Sequence, residues 1–287
     1  DGTLFFSDGS LDVAGTAKAF YRQYPDKVEY DFLSIFSAYH PQSYIEFHQP
    51  IHNIVTGNAS RKAYEEGFPS RLLGVNFLGD TYSPQYISDE NTLQKSFYLM
   101  LHETGHQWLS FLGINEGIST GVHYSEWFNS SSVQNGDVMI DPMGGSFWKD
   151  NQDGTVSLLQ PKDQASFSQL SLYLMGFLPS SNVPDIEIVR PLKQQTVEEY
   201  QKTGYQNIQA SITKISMNDL IKKYGERNPS YQESQKDFTM AYIVVTKQNA
   251  LPSEYKPYVT VVNWVAKYFP AKWNEATRGV STINKNL

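Results

Sequence analysis

The pentapeptide His102-Glu103-Thr104-Gly105-His106 constrains this chain more than any other feature of its 287 residues. An HExxH spacing has chemical meaning on a helix, where residues four apart share one face and two imidazoles can reach one metal ion. Glu103 then stands beside His102, where its carboxylate can take a proton from an activated water and pass it to a leaving amine. The chain has 6 histidines. A chance match to the pattern is therefore expected only about 0.006 times per chain, which makes the motif specific. The flanking residues supply the helix. Leu93, Phe97, Met100, Leu101, Trp108 and Leu112 recur at three- and four-residue spacing, and charge is nearly absent around Phe97 to Leu101. This predicts a largely buried helix from about Thr92 to Leu112, capped by Asp89 or Asn91 and closed by Gly113. Gly105 inside it costs about 1 kcal/mol relative to alanine, a cost that close approach of another backbone segment would offset.

A catalytic zinc needs a third protein ligand and an open position. The long metzincin motif would place that ligand at position 112, which is a leucine, so that pattern fails. Four candidates lie downstream: Glu116, His123, Glu126 and Asp141. His123 is the one histidine left after the motif, and the intervening chain is long enough for a loop to turn back. Glu126 sits near gluzincin spacing, although Gly121 to Ser125 reads as loop. The segment Val138 to Gly145 suits a methionine-bearing turn beneath a metal site, or an ordinary Pro-Gly turn with buried methionines. Asp141 is also a candidate acceptor for a ligand imidazole, and Tyr124 a candidate donor to the oxyanion. Asp150 to Thr155 has the flavour of a structural Ca2+ loop, but Lys149 stands where an acidic first ligand belongs, so a hairpin turn is favoured. His40, His48 and His52 read as structural or surface residues, with Pro50 arguing against a helical pair of the last two.

Composition narrows the setting. Zero cysteines exclude disulfides and thiolate ligands, and a net charge of −7 argues against a nucleic-acid partner. No apolar run of eighteen residues predicts membrane insertion. The chain opens at Asp1 without a signal sequence, which reads as a trimmed or mature start and leaves export undecided. The 19 tyrosines and 16 phenylalanines, with many Ser, Asn and Gln, lean towards an exported surface that faces protein or polysaccharide. Along the chain, the pattern predicts a helix at Val13 to Tyr24 and strands at Val28 to Phe36, Tyr44 to Phe47 and Arg71 to Leu78. A second buried helix is expected over Asp163 to Phe177. The turn-rich Leu178 to Asp185 divides residues 1–178, expected to hold the catalytic unit, from 179–287, a C-terminal lobe of that unit. That lobe should carry strands at Ile186 to Val189 and Phe238 to Thr246, and helices near Met217 to Tyr224 and Tyr258 to Phe269.

The segment Leu101 to Trp108 resembles the active helix of zincin metallopeptidases. More closely, the chain is similar to a little-characterised group of bacterial extracellular zinc metallopeptidases. The stretches that carry this likeness are Tyr30-Asp31-Phe32-Leu33, Arg71-Leu72-Leu73-Gly74, the motif helix and His123-Tyr124-Ser125, where the group has His-Trp-Ser. They continue in Asn151 to Thr155, Leu172 to Gly176, Gly225 to Ser230, Gln235 to Phe238 and Ala276 to Gly279. The resemblance implies an exported zincin-like enzyme with His123 as third ligand. The expected fold is α+β, with a twisted mixed sheet packed on the metal-binding helix and on an earlier helix. The expected function is a zinc endopeptidase acting on extracellular proteins or peptides, with His102, His106 and His123 on Zn2+ and Glu103 as base and then acid. Two other classes stand beside it: a zinc hydrolase of a non-peptide amide in a cell-wall or glycan conjugate, and a non-catalytic binding module on the same scaffold.

Overall fold

The strands Phe32–Ser37 and Gly74–Phe77, buried on both faces, form the heart of the first of two units. The computed structural model describes the chain except residues 1–3, 5, 7–9, 27–29, 40–44, 60–62, 131, 135–136, 162–163, 194–196 and 285–287. Within it the chain forms two compact units. The first comprises Asp1–Ile54, Lys62–Gln107 and Gln235–Leu287, and the second Val55–Arg61 and Trp108–Ser234. The fold is α+β with mixed sheets.

The sheet of the first unit runs in the order Thr282–Asn284, Asp237–Val245, Phe32–Ser37, Gly74–Phe77 and Phe47–Pro50. The first four strands are parallel, and Phe47–Pro50 closes the edge antiparallel to Gly74–Phe77. Because side chains alternate across a strand, Leu33, Ile35, Val75 and Phe77 share one face, where Val13 and Ala17 of the helix Val13–Gln23 cover them. Ser34 and Asn76 point to the opposite face, towards the motif helix Glu90–Gly105, to which Asn76 is hydrogen-bonded through Thr104. The long helix Pro252–Ala276 also packs against the motif helix, with the Phe97 and Phe269 ring centroids 6.0 Å apart. A parallel sheet covered on both faces explains why the Phe32–Ser37 and Gly74–Phe77 strands are buried throughout.

The second unit carries a six-stranded sheet in the order Trp148–Asp150, Thr155–Leu158, Ile208–Ile215, Ile186–Pro191, Tyr124–Asn129 and Gly144–Ser146. All neighbours are antiparallel except the last pair. One face is filled by Trp148, Val156, Val189, Tyr200 and Ile208, with Trp127 stacked on Trp148 at 5.0 Å. No helix among the described residues is long and apolar enough to cross a membrane.

Most elements expected from periodicity are present, with several corrected bounds. The motif helix starts at its Asp89 cap, whose carboxylate accepts from the Thr92 N–H at 2.8 Å, but it ends at Gly105 rather than Leu112. Gly113 is therefore no helix cap; it sits in a later turn at φ 72°. The expected second helix contracts to Gln169–Met175. Asp163 lies outside the described residues, while Ala165 and Ser166 bridge to Ile140 as extended chain, which removes them from the helix. The strand read at Tyr44 to Phe47 is Phe47–Pro50, with Tyr44 outside the described residues, as are Val28 and Glu29 of the strand that begins at Phe32. The C-terminal helix is longer than expected, spanning Pro252–Ala276. The Leu178 to Asp185 turn lies inside the second unit, because Ile186–Pro191 after it pairs with Tyr124–Asn129 before it.

Candidate metal centre

His102 and His106 stand one turn apart at the end of the motif helix, and their rings converge. Their Nε2 atoms are 3.1 Å apart, with ring planes at 84°. Two nitrogens each about 2.0–2.1 Å from a tetrahedral zinc stand about 3.3 Å apart, so this spacing is that of a chelating pair. Apolar anchoring holds the helix that presents them: Leu93, Phe97, Met100 and Leu101 are all buried.

His123 is presented by a turn just ahead of the Tyr124–Asn129 strand. The Thr120 N–H donates to the His123 carbonyl at 2.8 Å, and the His123 N–H donates to Thr120 Oγ1 at 3.2 Å. Gly121 at φ 98° supplies the backbone conformation this turn requires. The next residue is tied to the methionine turn, since the Tyr124 N–H donates to the Met143 carbonyl at 2.9 Å and Met143 is fully buried. One nitrogen from each of His102, His106 and His123 lies within 4.8 Å of the others. This is the one cluster of three or more His, Asp or Glu side chains of that kind among the described residues, and it can hold a metal ion.

Glu103 lies on the helix between His102 and His106, is 3 % exposed, and has a buried Oε2 atom without a hydrogen-bond partner among the described residues. Burial, with repulsion from Glu46 added, lifts its carboxyl to about 7. A buried carboxyl oxygen without a partner is costly, which makes Glu103 a candidate functional group.

The other expected candidates fall outside the cluster. Glu116 is held by Lys223 Nζ and by the Tyr224 hydroxyl, the latter at 2.7 Å. Glu126 is an exposed strand residue. The Asp141 carboxylate accepts from the N–H groups of Met143 and Ser168 at 2.8 and 2.7 Å and from Ser171 Oγ at 2.7 Å. It thereby organises the methionine turn and the start of the Gln169–Met175 helix. Tyr124 does not fit the oxyanion role, because it is buried and its hydroxyl bonds to Ser171 at 2.9 Å within the Asp141 network. Burial also pushes its pKa well up. The Asp150 to Thr155 segment is a hairpin turn in which Asp150 and Asp153 accept from the backbone N–H groups of Gln152 and Thr155. His48 and His52 are structural, as expected, while His40 lies outside the described residues.

Sequence reasoning missed the residues that grip the end of the motif helix. Gln107 Oε1 meets His48 Nε2 at 2.8 Å, Gln107 Nε2 donates to the His52 carbonyl at 3.0 Å, and Asn53 Nδ2 donates to the Gln107 carbonyl at 2.7 Å. Only the position of Gln107 directly after the motif signalled it. Comparison of the chain with protein-family models, with curated proteins and with solved structures finds no match to any of them.

Proposed function

We propose that this chain is a zinc-dependent endopeptidase of zincin type that acts on extracellular proteins or peptides. The observation that carries this reading is the convergence of His102, His106 and His123 beside the buried Glu103 carboxyl, whose Oε2 has no hydrogen-bond partner among the described residues. Three neutral imidazoles are a donor set that suits zinc and leaves a fourth position for water or substrate. Zinc bound there would supply Lewis acidity, polarising a scissile carbonyl and lowering the pKa of a water to about 7.

The rest of the chemistry belongs to the chain. Glu103 Oε2 accepts the proton of the attacking water, and the same carboxyl then donates it to the leaving amine. A carboxyl held near 7 is matched to both directions of that transfer. The motif helix stacked on a mixed sheet supports the zincin reading, and composition together with the resemblance supports an exported location.

The test is cleavage of a diverse peptide library by zinc-loaded protein alongside Glu103→Gln. We expect the substitution to lower turnover about 10²- to 10⁴-fold with zinc still bound. Equal cutting by both proteins would remove Glu103 from the mechanism. Zinc binding without any peptide cleavage would favour a non-peptide amide or a binding role.

A further inference from the structure

The turn that carries His106 is weakly held by its own backbone. The His106 N–H is shared between the His102 and Glu103 carbonyls at 3.2 Å each, and the Gln107 N–H reaches the Thr104 carbonyl at 3.3 Å. Helix ends fray when their last carbonyls lack good partners. Here the Gln107 carbonyl gains one from a side chain, and the Thr104 hydroxyl is tied to the sheet besides. Asn76 Nδ2 donates to Thr104 Oγ1 at 3.0 Å, and Asn53 Nδ2 donates to the Gln107 carbonyl at 2.7 Å. The Gln107 side chain bridges the His52 carbonyl and the His48 ring.

The orientation of this bridge follows from its partners. The His52 carbonyl can only accept, so the amide nitrogen of Gln107 faces it and Oε1 faces His48. His48 Nε2 must therefore carry a proton and donate to Gln107. Space has been left for the pair. A methyl group on Gly74 would overlap the His48 ring and approach Gln107 Oε1, and Gly74 does not have a positive φ. Its lack of a side chain serves room rather than backbone conformation. His48, Asn76, Thr104 and Gln107 are all buried, so their bonds are made at low dielectric and hold their geometry firmly.

We propose that Gln107, oriented by the Nε2–H of His48, is a positioning residue that sets the approach of His106 to the metal. The proposal rests on the reading of His102, His106 and His123 as the metal ligands. Its logic is that of outer groups that aim a ligand imidazole, applied here through the backbone turn that carries the ligand rather than through the ring.

The experiment is Co2+ titration of the metal-free protein, read as affinity and as the visible d–d spectrum, for wild type, Gln107→Met, His48→Asn and His48→Gln. Thermal unfolding of each metal-free protein is recorded in parallel. Gln107→Met removes the bridge. His48→Asn keeps a polar group near Asn76 but loses the donor to Gln107, whereas His48→Gln can place an amide N–H where Nε2 was. We expect Gln107→Met and His48→Asn to bind Co2+ about 10- to 100-fold more weakly with an altered spectrum. His48→Gln should keep the wild-type spectrum, although both His48 variants unfold alike without metal. Wild-type affinity and spectrum in every variant would overturn the positioning role. So would equal weakening of both His48 variants in step with lost stability. Should Gln107→Met fail to fold, the His48 pair decides. A wild-type protein that takes up no Co2+ overturns the metal reading itself, and the positioning role with it.

Discussion

Asp31→Ala should destabilise the first unit far more than removal of its ion-pair partner. The Asp31 side chain is 1 % exposed and stands where three stretches of chain meet. It accepts from the Thr239 N–H at 2.7 Å, Thr239 Oγ1 at 3.0 Å, Gln235 Nε2 at 2.9 Å, and Arg71 Nε and Nη2 at 3.2 and 3.3 Å. Hydrogen bonds to a buried charge contribute about 1.5–3 kcal/mol each but are not additive, and donors stripped of their acceptor cost about 1–3 kcal/mol. The Thr239 N–H and hydroxyl and the Gln235 amide, all donating to a carboxylate that is itself buried, thus place the loss at about 3–5 kcal/mol. The Arg71 side chain is 48 % exposed, so water and salt screen its share to about 1 kcal/mol or less. For a chain of this size, Asp31→Ala should lower the unfolding midpoint by about 6–20 °C, and Arg71→Ala by a few degrees. Circular dichroism melts of metal-free protein measure both. Equal losses would show that the ion pair, not the backbone and amide bonds to the buried carboxylate, holds this junction, and would refute the reasoning.

Two further outcomes follow from the buried charges. In metal-free protein, the Glu103 carboxyl lies at about 7 when folded and near 4.5 when unfolded. Its protonated form therefore stabilises the fold fully below pH about 4.5, and that contribution of about 3 kcal/mol is lost as pH rises through 7. Denaturation curves of wild type should show this decline and those of Glu103→Gln should lack it; parallel curves would exclude a perturbed Glu103. Arg227 is buried, and burial pushes its pKa down to about 10. Its guanidinium donates to the Leu174 and Met175 carbonyls at 2.8 and 3.2 Å, at the end of the Gln169–Met175 helix. Arg227→Lys cannot reproduce this fork and should cost about 2–4 kcal/mol in urea denaturation, and a neutral result would refute the capping role.

These two polar centres also give a structural role to residues from several separate stretches of the chain. Asp31, Arg71 and Gln235 come from three separate stretches and meet at one carboxylate. Leu172 to Gly176 and Gly225 to Ser230 meet at Arg227. Such residues tie together segments within one unit, and they are silent about substrate.

What the sequence determined by itself is the part whose geometry is local. A four-residue spacing on a helix brings His102 and His106 together and sets Glu103 beside them, and an Asp cap with an apolar stripe marks where that helix begins. The same locality made a helix near Met217 to Tyr224 readable, and the structure has it at Met217–Tyr224, with Ser216 and Asp219 closing a reciprocal cap. Only the tertiary structure showed that His123, rather than Glu116, Glu126 or Asp141, comes within reach of that pair, because a loop's return depends on which partners it meets: Met143 holds the strand after His123, while Lys223 and Tyr224 hold Glu116. It likewise decided that the motif helix stops at Gly105. Periodicity continues to Leu112, but Asn53 and His52, more than fifty residues away in sequence, take the hydrogen-bonding groups of Gln107. Hydrogen bonds between distant residues leave no periodic trace in a sequence, and here they determine where the helix ends and how its last histidine is aimed.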